Sequence, residues 1–147
     1  MYELFDYQII CMLREINKHY EELLGCTCQE YGLTSAQALI LMNLYVSGSQ
    51  SITGLSETLC SVKGNISPIC QRLEQSGYIT RCRDKSDQRI LNIALTEHAR
   101  AIVEQKMLYF KNYQTDTADQ DQIMHGLQLL QEYVKTKKDN QSNEMGE

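Results

Sequence analysis

A mostly helical domain with one small β-hairpin is the fold class this 147-residue sequence predicts. Three observations point to it. Apolar residues recur at helical spacing along most of the chain. The period shortens to two across YITRCR and ILNIAL, and between those runs lies DKSDQ, a turn composition. A short helix, a tight turn and a second helix come immediately before that hairpin. The length suits one domain with its own hydrophobic core, and the apolar content of 42% is ordinary for a globular chain.

Each element follows in order. Residues 2–24 read as a helix, with Ile9, Leu13, Ile16, Tyr20, Leu23 and Leu24 on one stripe. GCTCQEYG breaks that pattern. Thr34 or Ser35 caps a second helix to about Val46, with Ala38, Leu41 and Leu44 or Tyr45 inward. SGSQS reads as a loop, and Thr53 to Leu59 as a short helix. A turn at Cys60–Lys63 enters another helix that ends near Gly77, a natural stop residue. On this helix Ser67-Pro68 could alternatively mark a start one turn later. After the hairpin Thr96 caps a long helix carrying Ile102, Val103 and Phe110. TDTADQDQ is an acidic break. A last helix places Ile123, Leu127, Leu130 and Val134 on one stripe, and the polar tail from Lys135 reads as disordered. The order defines a winged helix-turn-helix, which sets its second helix in the major groove and uses the hairpin at the backbone or minor groove.

Charge supports a localised contact face. The formal net charge is −5, yet residues 61–106 carry eight basic and five acidic residues. The peak is RCRDKSDQR, Arg81 to Arg89, with three arginines, one lysine and two aspartates in nine residues. One positive patch on an acidic body suits a polyanion held through a single face. A charged, solvated turn is the plainer account of charge alone.

The helix before the hairpin is VKGNISPICQRLEQSG. Ile66, Ile69, Cys70 and Leu73 fall on one buried face. The opposite side bears Gly64, Pro68, Gln71 and Gln75, flanked by Lys63, Asn65, Ser67 and Arg72. Amide and hydroxyl groups with little bulk suit hydrogen bonds to base edges and phosphates.

The run ISPICQRLEQSGYITRCRDKSDQRILNIALTEHAR resembles the core of the MarR family of bacterial transcriptional regulators. The resemblance covers about residues 30–105 and includes LTSAQALILMNLY. It rests on Leu-Glu-x-x-Gly, then Asp-x-Arg, then Leu-Thr-x-x-Ala. It implies a repressor that binds double-stranded DNA as a homodimer on a pseudo-palindromic operator. Arg89 is then the wing residue that enters the minor groove, where the potential is most negative. Asp87 orients it, and Arg81, Arg83 and Lys85 contact phosphates. Lys63, Gly64, Asn65, Ser67, Pro68, Gln71 and Arg72 form the recognition-helix surface. The resemblance also implies dimerisation helices at residues 1–25 and 106–137, a winged helix at about 30–105 and a flexible tail at 138–147, all within a single domain, 1–147.

Six cysteines are many for a cytosolic protein, where disulfides are not expected. Cys26-Thr-Cys28, in the loop after the first helix, could hold a thiophilic metal or form an attacking and resolving pair. Two small residues in a helix-ending turn are the plainer account, since a bare CxC lacks a supporting pattern. Cys11 and Cys60 are further thiol candidates. Cys70 and Cys82 read as packing residues. A small-molecule effector could be lined by His19, Tyr20, Tyr31 and Tyr45, which could equally be core or interface residues. An alternative is a regulator responding to metals or electrophiles through Cys26 and Cys28. No metal cluster or cofactor site is expected. No glycine-rich phosphate loop, GxSxG or HExxH is present, so no enzyme class is indicated. No long apolar run or basic leader occurs, which predicts a cytoplasmic protein without a membrane span.

Overall fold

In a computed structural model, residues 2–111 and 116–144 are described. The chain divides into two compact units, Met1–Leu108 and Tyr109–Glu147. In the first unit, α1 (Tyr2–Cys28) leads through a 3-10 turn to α2 (Ser35–Ser47). There follow β1 (Gln50–Ser51), α3 (Ile52–Thr58), α4 (Lys63–Gln75), β2 (Ile79–Arg83), β3 (Leu91–Leu95) and α5 (Glu97–Lys111), whose last three residues fall in the second unit. The second unit carries α6 (Thr117–Glu144).

Local chemistry sets the helix ends. Thr34 caps α2 through a reciprocal pair: its hydroxyl accepts from Gln37 N–H at 3.2 Å, and the Gln37 side chain accepts from Thr34 N–H at 2.9 Å. Ser51 caps α3 by accepting from Gly54 N–H at 3.1 Å. Thr96 caps α5 by accepting from Ala99 N–H at 3.2 Å. Gly77, with φ of 74°, turns the chain from α4 into β2 in a left-handed conformation that favours glycine.

Core packing follows the apolar periodicity. Ala38, Ile40, Leu41 and Leu44 of α2 are buried with Leu55 of α3 and Ile66, Cys70 and Leu73 of α4. Ile79 and Ile93 from the strands and Ala99 and Val103 from α5 complete this cluster. The sheet is antiparallel with β3 in the centre, in the order β1-β3-β2. Arg81 lies opposite Ile93, so it shares the inward face of the sheet with that buried residue.

Several expectations change. The first helix runs on through GCTC to Cys28, because Gly25 lacks a left-handed φ. The left-handed stop comes at Gly32, φ 63°. The Cys26/Cys28 pair is therefore helical and not in a loop. SGSQS contains a strand, since Gln50 and Ser51 pair with Ile93 and Asn92. The recognition helix starts at Lys63, with Pro68 inside it. Proline has no N–H, so the bond it would give to the Gly64 carbonyl is missing. Cys82 is exposed and does not pack, because Ile79 and Ile93 fix the opposite sheet face as the inner one. The acidic break is shorter than expected: Asp116 caps α6 by accepting from Ala118 N–H at 3.2 Å. The expected flexible tail is helical as far as Glu144.

Candidate nucleic-acid interface

Ile66, Cys70 and Leu73 anchor α4, and its opposite side faces solvent. Lys63, Gly64, Asn65, Pro68, Gln71 and Arg72 are exposed, and Ser67 is half-buried. Among the described residues, the Lys63, Asn65, Gln71 and Arg72 side chains make no intramolecular hydrogen bond or ion pair. They are free donors and acceptors on a surface with little bulk. Burial pushes the Cys70 thiol above its ordinary pKa, which suits an inert packing residue.

The wing adds cations to the same module, but they are unequal. The Arg81 Nε lies 2.8 Å from a Glu74 carboxylate oxygen in the last turn of α4. That ion pair ties β2 to α4, so Arg81 is held inward rather than standing out with its neighbours. Arg83 donates through Nη1 to the Gln88 carbonyl at 2.6 Å. Among the described residues, neither the Lys85 nor the Arg89 side chain is tied in this way, and both residues are exposed. Asp87 acts on Arg89 through the backbone, its carboxylate accepting from Arg89 N–H at 2.9 Å.

Sequence reasoning missed Asp84. Its carboxylate accepts from Ser86 N–H at 2.8 Å, from the Ser86 hydroxyl, from Asp87 N–H at 3.1 Å and from the Asn92 amide at 2.8 Å. These bonds, led by the Ser86 hydroxyl, lower its pKa to about 2. The available signal was Asp-x-Ser, which favours a side chain folding back on its own turn. Glu74 was missed too, because its partner lies seven residues on in another element.

A cleft of about 490 Å3 lies beside the wing, lined in part by Ser51, Thr53, Arg81, Arg89 and Ile93. The tyrosines nominated for an effector pocket lie elsewhere. Tyr31 donates to Gln105 at 3.2 Å, and Tyr45 donates to Glu104 at 3.4 Å with Arg100 over its ring. His19 and Tyr20 are exposed on α1. Of the thiols, Cys11, Cys26 and Cys60 are exposed and Cys28 is buried. Among the described residues no group of three His, Cys, Asp or Glu side chains is placed to hold a metal ion. None of the described helices is long and apolar enough to cross a membrane.

Helix α4 packed on α3, with a hairpin wing beside it, defines a winged helix-turn-helix protein. Residues 33–91 match the MarR family model. The HTH-type transcriptional regulator SarZ of Staphylococcus epidermidis is 34% identical over 89 residues, which cover 60% of this chain and 57% of that protein. The chain thus spans a little over half the length of the curated relatives it matches. Reduced AbfR bound to DNA superposes with a TM-score of 0.76 at 22% identity, covering 89% of this chain and 92% of that one. A probable transcriptional regulator from Pseudomonas aeruginosa gives 0.69 at 27% identity, covering 86% and 98%. The match to the MarR family model thus falls on the winged helix of this chain.

Proposed function

We propose that this chain is a transcriptional regulator that binds double-stranded DNA as a homodimer and represses from a pseudo-palindromic operator. The observation that carries the reading is the uncommitted polar face of α4 beside an exposed, backbone-fixed Arg89. On this reading α4 enters the major groove. Gln71 and Asn65 read base edges there, and Lys63 and Arg72 meet phosphates. Arg89 enters the adjacent minor groove and Lys85 meets the backbone. The SarZ relatives are transcriptional regulators, and the AbfR structure is bound to DNA, which supports the same partner here.

Apolar exposure supports the dimer. Leu13, Ile16, Tyr20 and Leu23 on α1 are exposed in the single chain, as are Ile123, Leu127 and Val134 on α6. Stripes of that kind on a soluble protein mark surfaces that associate. We assign residues 1–28 and the 117–144 helix to dimerisation, and about 30–105 to the DNA-binding module.

Release by a small ligand or by thiol oxidation completes the proposal. Among the thiols, exposed Cys11 suits a sensor better than the Cys26/Cys28 pair, whose second member is buried. Cys11, one turn along the helix from Tyr7, raises the pKa of that phenol. A regulator using Cys26 and Cys28 for metals or electrophiles would need Cys28 to emerge first.

Footprinting on DNA from upstream of the gene tests the reading. Two protected half-sites centred one helical turn apart, about 10 base pairs, are expected. Protection lost on mild oxidation in wild type but kept in Cys11→Ser would assign the switch. A protein that protects no site would overturn the proposal.

A further inference from the structure

The wing tip spans residues 84–90, seven residues with no strand pairing of their own. Such a loop would spread Arg89 over many positions, and each residue ordered on contact would cost conformational entropy. The structure instead pins the backbone on both sides of that arginine. Gln88 is held by its carbonyl, which accepts from Arg83. Arg89 is held by its N–H, which donates to Asp87. Ile90 is held twice: its N–H donates to the Asp87 carbonyl at 3.0 Å, and its carbonyl accepts from Asp84 N–H at 2.9 Å. Within this frame, among the described residues, the Arg89 side chain is left without a bond.

Building on the DNA-binding reading above, we propose that Asp84 is the positioning residue of the wing, which fixes Asp87 and through it Arg89, and that Arg83 is a strut rather than a phosphate contact. One carboxylate fastens the tip at both ends. Oδ1 takes the Ser86 and Asp87 N–H groups and the Ser86 hydroxyl, while Oδ2 takes the Asn92 amide on β3. An aspartate fits because its short side chain reaches the N–H groups two and three residues on. A carboxylate fits because it accepts from several donors at once and gives none. The cationic peak then divides its labour. Arg81 is bound inward to Glu74, Arg83 is tied along the wing to the Gln88 carbonyl, and Lys85 and Arg89 are exposed.

An exchange of side chains tests this. Asp84→Ala, Asp84→Asn, Asn92→Asp and the double variant Asp84→Asn/Asn92→Asp are compared with wild type. In the double variant the amide oxygen introduced at position 84 still accepts from the turn, and the amide N–H donates to the carboxylate introduced at position 92. The first readout is 15N relaxation of the Arg89 and Ile90 amides in free protein. We expect order parameters near the rigid value of about 0.85 in wild type, below about 0.6 in Asp84→Ala, and restored in the double variant. The second is anisotropy with operator DNA, expected to weaken about tenfold in Asp84→Ala and to recover on exchange. Arg83→Ala should weaken binding with the salt slope unchanged, whereas Lys85→Ala should lower that slope by about one. Unchanged amide order in Asp84→Ala, or no recovery on exchange, overturns the positioning role. An Arg83→Ala slope that falls by about one overturns the strut. Wild type that binds no DNA, with the amides responding as expected, overturns the DNA-binding reading and leaves the Asp84 role supported.

Discussion

Thr96 sits where three elements meet, and removing its hydroxyl gives a sharp test of how the wing is attached. Its Oγ accepts from Ala99 N–H at 3.2 Å, capping α5. The same hydroxyl lies 2.9 Å from the Gly77 carbonyl and 3.2 Å from that of Tyr78, so its proton serves the turn between α4 and β2. Its own N–H donates to the Tyr78 carbonyl at 3.1 Å. Thr96→Val keeps the shape and the backbone bond but removes the hydroxyl. Loss of a cap costs about 1 kcal/mol, and losing the bond to the Gly77–Tyr78 turn raises the total to about 1–2 kcal/mol. In a chain this size that lowers Tm by roughly 2–8 °C. The assay is thermal unfolding at one fixed protein concentration, because association shifts Tm. Thr96→Ser keeps the hydroxyl and should recover most of the loss. Thr96→Val as stable as wild type, or Thr96→Ser no better than Thr96→Val, would refute the reasoning. The same geometry explains Leu-Thr-x-x-Ala in physical terms: Leu95 pairs with Ile79, Thr96 caps, and Ala99 is fully buried where a larger residue would clash.

Four further outcomes follow from the geometry. Leu73→Ala removes a fully buried side chain beneath the α4 face and should cost about 2–5 kcal/mol in denaturant unfolding; a cost below about 1 kcal/mol would show that α4 is not anchored there. Gln71→Ala should change the preferred base sequence in a selection experiment, and Lys85→Ala should weaken all sites alike; equal, sequence-independent losses would count against the α4 reader. The Asp84 carboxylate, lowered to about 2, favours the folded wing above its ordinary pKa near 4, and that contribution is lost as pH falls through about 2. An NMR titration of its carboxyl should therefore find a midpoint well below about 4, and an ordinary midpoint would deny the turn. Ile16→Glu should shift sedimentation from dimer to monomer, with an unchanged dimer removing α1 from the interface.

Much of this was legible in the residues. The spacing of Ile66, Cys70 and Leu73 marked the buried face of α4, and the change of period marked the hairpin. Thr34 and Thr96 announced their helices by capping chemistry. The failures have specific causes. Gly25 looked like a stop but sits in regular helix, because a glycine ends a helix only when its φ is used, as at Gly32. A two-residue strand has no period, so β1 was invisible until its partner was known. Arg81 broke the rule that charges face outward, because Glu74 meets it on the inner side. That choice also sent Cys82 to the surface. The residues after Lys135 have a composition shared by disordered tails and exposed helices, and composition cannot separate the two. Asp84 was hidden because one of its partners, Asn92, lies across the hairpin.

On the DNA-binding reading Arg89, presented by a fixed wing, contributes directly to DNA affinity without supporting the fold. One anisotropy titration of wild type and Arg89→Ala on DNA from upstream of the gene, with unfolding followed alongside, tests it most directly. Wild type should bind tightly and with salt sensitivity, and the variant should lose about 1–3 kcal/mol of affinity with unchanged stability. Equal affinity of the two proteins, or loss of affinity accompanied by loss of the fold, would contradict it.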